Sequence, residues 1–133
     1  MAEKNPDRAV LGADTIVYLD DTVLGKPRDE AEACAMLRRM QGRWHVVYTG
    51  VCLCHDGKAD VRVDRSRVKF VPMDEATIEA YVRTGEPMDK AGAYALQGRG
   101  GMFVERIEGS YSNVIGLPMA MTREMLLDAG LTV

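Results

Sequence analysis

The sequence predicts an α/β domain in which a mixed β-sheet is flanked by helices. Residues 9–19 are rich in the branched and aromatic side chains typical of a strand covered on both faces. Residues 44–55 and 59–71 lie on either side of an Asp-Gly dipeptide, which predicts a hairpin turn. In the second segment polar and apolar residues alternate, as in a strand with one exposed face. Segments with helical patterns lie between and after these strands, so both element types share one chain.

Two helices are expected on either side of this hairpin. Residues 29–40 place acidic residues at the start and arginines at the end, which suits the helix dipole, and Gly42 can close the helix. Residues 74–83 begin at Asp74, a good N-cap, and stop before Gly85.

The last part of the chain is less regular. Residues 86–101 are rich in glycine and predict an irregular segment, which residues 102–107 follow as a short strand. A third helix is predicted over residues 118–129, since proline is favoured in a first turn and Gly130 can end it.

Composition limits the classes of protein to consider. The 133 residues suffice for one domain with a real core but are too few for two. A net charge of −3 argues against long nucleic acid as a partner, and no apolar run is long enough to span a membrane. The polar first residues give no sign of a signal peptide, and three cysteines fit a reduced, cytoplasmic protein.

Asp14 is the first candidate functional residue, because it places a carboxylate in a strand predicted to be buried. An ionised carboxylate is costly there unless a cation, a metal or hydrogen bonds compensate it. Gly12 and Ala13 remove bulk just before it, which would let a ligand approach the backbone. The alternative is that Asp14 caps or turns the chain at a strand end.

Lys26 is the second candidate, held between Gly25 and Pro27. A lysine fixed in this way is a point charge, and phosphate is a natural target. The alternative is a solvated loop lysine. The order strand, carboxylate, turn, lysine favours a carboxylate for metal and a cation for phosphate in one cleft.

The irregular segment adds three candidates. Lys90 is a second cation for phosphate, and Asp89 could hold that lysine or reach a metal. Gln97 offers a donor and an acceptor, which suits the edge of a nucleobase. Each could instead satisfy loop backbone groups. Cys52 and Cys54 lack a fourth ligand and a turn-like spacing, so they are interpreted as structural rather than metal-binding.

Five segments taken in order resemble the Maf family of nucleoside triphosphate pyrophosphatases. They are GADT at 12–15, LGKP at 24–27, HVVYTGV at 45–51, GEPMDKAGAYALQG at 85–98 and FVERIEGSYSNVIGLP at 103–118. The resemblance runs from about residue 6 to residue 130. It implies an elongated mixed sheet related to the inosine triphosphatase (Ham1) group. It also implies hydrolysis of a nucleoside triphosphate to the monophosphate and pyrophosphate with a divalent metal, magnesium or manganese.

The resemblance also implies roles for single residues. Asp14 matches the catalytic, metal-linked carboxylate, and Lys26 and Lys90 match residues that contact phosphates. Thr15 and Gln97 match the specificity positions of the branch that acts on dTTP and UTP. No serine or cysteine nucleophile motif is present, so direct attack by water is the simplest chemistry.

One part of the family pattern has no counterpart here. Family members open with a strand, a Ser-x-Ser-Pro-Arg-Arg phosphate loop, a helix and an acidic residue. We therefore expect residues 1–133 to be a single partial domain lacking that opening, with an uncovered strand edge that favours homodimers or aggregation. Two functions stay open: a pyrophosphatase, and a non-catalytic nucleotide-binding protein that acts through partners in cell-division (septum) control.

Overall fold

Five strands form one sheet in the computed structural model of the protein, which describes residues 8–131. Their order across the sheet is β2-β1-β3-β4-β5. The strands are β1 (Val10–Leu19), β2 (Thr22–Leu24), β3 (Trp44–His55), β4 (Lys58–Phe70) and β5 (Val104–Glu108).

The α/β class is confirmed, but the strands that the structure describes pair only antiparallel, where a mixed sheet was predicted. Two tight hairpins explain much of this. Asp20 and Asp21 join β1 to β2, and Asp56 and Gly57 join β3 to β4, all four with left-handed φ between 49° and 71°. Turns of that conformation match the twist of antiparallel strands and return the chain alongside itself.

In the described part of the chain four α-helices accompany the sheet: α1 (Glu30–Met40), α2 (Glu75–Arg83), α3 (Tyr111–Ile115) and α4 (Met119–Asp128). The first two begin at N-caps, where the carboxylates of Asp29 and Asp74 each accept a backbone N–H at 2.8 Å. Asp74 was predicted as a cap, whereas Asp29 was predicted as the first residue of its helix. The short helix α3 was not predicted from the sequence. Three 3-10 turns lie between α2 and β5: Glu86–Asp89, Ala91–Ala93 and Arg99–Phe103.

The core lies on one face of the sheet. Val17 and Val47 of the strands pack there with Leu37 of α1 and Ile78 of α2, all almost fully buried. A smaller cluster under α4 joins Val51, Leu53 and Met125 on the same side. No helix among the described residues is long and apolar enough to cross a membrane.

The prediction that residues 9–19 form a strand covered on both faces is wrong for its first half. Residues 10–14 are exposed, and full burial is reached only at Val17 and Leu19. Two features explain the difference. β2 pairs with β1 only at residues 17–19, and within residues 8–131 the sheet face that carries Ile16 and Val63 stays open. The aliphatic composition of the strand therefore overstated its burial.

Candidate active site

One cavity of about 300 Å³ opens between β1 and the loops that follow β2 and α2. All six candidate site residues from the sequence line it: Asp14, Thr15, Lys26, Asp89, Lys90 and Gln97. The rest of the wall is largely apolar, with Val17, Val47, Tyr94, Leu96, Val114 and Ile115 among its members. The structure therefore brings charged residues from distant loops to one place, beside a surface that suits a flat ring.

Asp14 lies at the rim of this cavity and borders a second, open groove with Ile16 and Tyr48. Its neighbour Thr15 bonds inward to Thr49, and successive side chains of a strand point to opposite faces, so Asp14 belongs to the open side. The carboxylate is exposed and forms no hydrogen bond or ion pair within residues 8–131. The expectation of a buried, compensated charge was wrong, and what remains is an accessible carboxylate with free coordination sites.

The two lysines reach the cavity on neighbouring loops. A backbone hydrogen bond of 3.1 Å from Gly92 N–H to the carbonyl of Gly25 joins the loop of Lys26 to the loop of Lys90. Gly92 has φ +73°, and a Cβ there would lie 2.8 Å from Cγ2 of Val17, so only glycine allows this approach. Neither lysine forms an ion pair in the described part of the chain. Their positive charges are therefore available to an anionic ligand.

Gln97 is exposed, and its loop is held by hydrogen bonds to a residue of α2 and to a residue that follows α2. The hydroxyl oxygen of Tyr81 accepts the N–H of Ala95 at 3.1 Å, and the carboxylate of Glu86 accepts the N–H of Arg99 at 3.1 Å. Burial raises the pKa of Tyr81 to about 12, so its hydroxyl stays neutral. The backbone around Gln97 is thus held while its side-chain amide forms no hydrogen bond within residues 8–131.

Sequence reasoning missed a buried polar network behind Thr15. Thr49 is fully buried, and its hydroxyl lies 2.9 Å from Thr15 Oγ1 and 3.1 Å from the carbonyl oxygen of Asn113. Asn113 is also fully buried and donates from Nδ2 to the carbonyl of Val47 and to Ser66 Oγ. The signal in the sequence was Thr49 itself, a polar residue in register with the inward side chains of β3.

A second missed feature is the aromatic support of the cavity wall. His45 Nε2 lies 2.7 Å from the hydroxyl oxygen of Tyr94, and both rings pack edge-on against Phe70. Burial lowers the pKa of His45 from 6.5 to about 4 and raises the pKa of Tyr94, so both groups are neutral near pH 7. Tyr94 is thereby held rigidly at the cavity.

The donor set fits a metal ion that arrives with a phosphorylated ligand. Within residues 8–131 no three His, Cys, Asp or Glu side chains lie close enough together to hold a metal by themselves. Asp14, at the rim, and Asp89 nevertheless both line the cavity, and Mg²⁺ typically takes one or two carboxylates together with phosphates and water. Cys52 Sγ and Cys54 Sγ lie 3.8 Å apart as free thiols and do not line the cavity.

The α/β fold and this cavity occur in a chain that matches the model of the Maf-like proteins over residues 1–129. The chain therefore belongs to the Maf family. It is 50% identical over 125 residues to the dTTP/UTP pyrophosphatase of Neisseria gonorrhoeae, covering 94% of this chain and 62% of the relative. It is 56% identical over 110 residues to the dTTP/UTP pyrophosphatase of Thermococcus gammatolerans, covering 83% and 60%. The chain thus spans about three fifths of the length of these curated relatives.

Proposed function

We propose that the protein is a nucleoside triphosphate pyrophosphatase that prefers dTTP and UTP. One observation carries this proposal: two lysines and an amide that have no side-chain partner within residues 8–131 line one cavity with two acidic residues and an apolar wall. A triphosphate needs cations for its charge, and a base needs an apolar surface with a few polar groups at its edge. Relatives about half identical in sequence bear the name dTTP/UTP pyrophosphatase, which supports the same substrate class.

Each residue has a distinct part in the proposed reaction. Lys26 and Lys90 neutralise the phosphates, and Gln97 contacts the base edge. Asp14 holds a divalent cation, Mg²⁺ or Mn²⁺, or accepts the proton of the attacking water. When bound, the cation supplies charge neutralisation at the phosphates. Water attacks the α-phosphorus, the bond from that phosphorus to the bridging oxygen breaks, and the products are a nucleoside monophosphate and pyrophosphate.

The test is pyrophosphate release from dTTP, UTP, CTP, ATP and GTP with Mg²⁺, for the wild type and for three lysine variants. Lys26→Ala and Lys90→Ala each remove a charge-assisted contact, so kcat/KM should fall by roughly tenfold or more. Lys58→Ala is the matched control, because Lys58 starts β4 at the hairpin turn and does not line the cavity. It should leave kcat/KM unchanged.

Three results bear on the proposal. Release confined to pyrimidine triphosphates and sensitive to both site lysines supports it. Equal losses in all three variants would contradict the assignment of the cavity. Tight nucleotide binding without any turnover would favour the alternative, a non-catalytic nucleotide-binding protein that acts through partners in septum control.

Two further expectations stay proposals. The cytoplasm is the proposed location, because Cys34, Cys52 and Cys54 are all free thiols, as a reducing compartment would keep them. The homodimer expected from the sequence remains a prediction, to be checked by light scattering at several concentrations.

A further inference from the structure

The direction of the hydrogen bond between Thr15 and Thr49 follows from the groups around it. A hydroxyl has a single proton to donate, and a carbonyl oxygen can only accept. Thr49 Oγ1 lies 3.1 Å from the carbonyl oxygen of Asn113, so the proton of Thr49 goes there. Thr15 Oγ1 lies 2.9 Å from Thr49 Oγ1, and this second contact is a hydrogen bond only if Thr15 is the donor. Both contacts are satisfied by this one arrangement.

Asn113 cannot easily move to change this arrangement. Its Nδ2 donates to Val47 at 3.2 Å and to Ser66 at 2.9 Å, and its backbone N–H donates to Ser110 Oγ at 3.1 Å. Asn113 is part of α3 and is fully buried where this helix packs on β3 and β4. The carbonyl that takes the proton of Thr49 is therefore fixed by bonds to two strands.

The direction of this hydrogen bond determines what the Thr15 hydroxyl offers to a ligand in the cavity. The one proton of Thr15 is used on Thr49, so what its half-buried hydroxyl offers to a ligand is a lone pair. Uracil and thymine carry a hydrogen on N3, whereas cytosine has a lone pair there. An acceptor that faces N3 bonds to the first two bases and opposes the third.

We propose that Thr49 is a specificity-positioning residue, which fixes Thr15 as a hydrogen-bond acceptor and so makes the cavity select uracil and thymine nucleotides over cytosine nucleotides. This inference rests on the proposed function, namely that the cavity takes a pyrimidine nucleotide, and it places N3 of the base against Thr15. A mispaired buried acceptor discriminates strongly, because neither lone pair regains the hydrogen bond that it had with water. UTP and CTP are the informative pair, since they have nearly the same size and differ at this edge.

Thr49→Val tests the proposal with little change in packing. Valine has nearly the same volume and the same branching at Cβ, and the carbonyl of Asn113 keeps a hydrogen bond of 3.0 Å from Gly116 N–H. Without Thr49 Oγ1 the proton of Thr15 becomes free, so Thr15 can donate to N3 of cytosine. Thr49→Ser keeps the hydroxyl and is the conservative variant that should restore the selection.

The measurement is equilibrium binding of the α,β-imido analogues of UTP and CTP by titration calorimetry, with Mg²⁺, because these analogues resist cleavage at that bond. The wild type should bind the UTP analogue roughly tenfold or more tightly than the CTP analogue. Thr49→Val should bring the ratio to within about threefold, mainly through tighter binding of the CTP analogue, and Thr49→Ser should keep the wild-type ratio. Thr15→Val is a second route, which removes the Thr15 hydroxyl but leaves the hydrogen bond from Thr49 to the carbonyl of Asn113 in place. It should bring the same ratio of affinities close to one, because it weakens binding of the UTP analogue.

The outcomes separate this inference from the proposed function. If the wild type releases pyrophosphate but Thr49→Val and Thr15→Val both keep the wild-type ratio of affinities for the UTP and CTP analogues, the inference fails and the function stands. If no pyrophosphate is released while the binding ratio shifts as described, the function fails and the inference stands. Equal affinity of the wild type for both analogues, or no binding of either, overturns the inference.

Discussion

His45 should make the fold sensitive to mild acid. Its side chain is 1% exposed, packs against Phe70 and Tyr94, and has a pKa lowered by burial to about 4. In the unfolded chain the pKa returns to about 6.5. Between these values the unfolded chain binds a proton that the folded chain excludes. The stability linked to His45 is therefore complete above pH 6.5 and is lost as the pH falls toward 4.

The size of the effect follows from the two pKa values. One pKa unit corresponds to about 1.36 kcal/mol, so lowering the pH from 7 to 5 should reduce the free energy of unfolding by about 2 kcal/mol. Urea denaturation at pH 7, 6 and 5 measures it. His45→Gln lacks the titrating ring and should be less stable at pH 7 but show a shallower dependence on pH. Equal pH dependence in the variant and the wild type would refute the reasoning.

Three further predictions concern the site. Asp14→Asn should reduce turnover by about a hundredfold or more, and near-normal turnover would contradict its role. The free energy of unfolding should change by less than about 0.5 kcal/mol, because the exposed carboxylate forms no hydrogen bond or ion pair within residues 8–131. Gly92→Ala should lower the free energy of unfolding, measured by urea denaturation, by about 1–3 kcal/mol more than Gly57→Ala. Gly57 is the control because it has a similar φ of +71° but open space around it. Equal losses of stability in the two variants would show that Val17 moves aside. Glu86→Ala should raise KM for UTP several-fold by releasing the loop of Gln97, whereas Glu86→Gln should have a KM closer to that of the wild type. An unchanged KM in both variants would refute the idea that Glu86 holds this loop.

Local patterns in the sequence predicted the elements that local chemistry determines. Asp29 and Asp74 start helices because their side chains bond to the N–H three residues on, and Asp56-Gly57 makes a hairpin because both residues accept left-handed φ. The same reasoning could not show which strand face is covered. Alternation separates the two faces of β1, but the helices that cover one of them come from other parts of the chain.

The sequence indicated the charged and amide side chains of the candidate site, but not the buried residues that support them. Lys26, Lys90 and Gln97 lie in glycine-bracketed loops, so their availability could be anticipated. Thr49 and Asn113 are different, because the contact between them spans 64 residues and exists only once β3 and α3 meet. A side chain whose partner is that distant shows in the sequence only as an unexpected polar residue in an apolar register.

The most direct test of the proposed chemistry is hydrolysis of UTP in water enriched in oxygen-18, with the products identified by phosphorus NMR and mass spectrometry. Attack of water on the α-phosphorus predicts equal amounts of UMP and pyrophosphate, with the label in UMP. UDP and phosphate as products, or label in the pyrophosphate, would contradict the proposed site and the roles given to its residues.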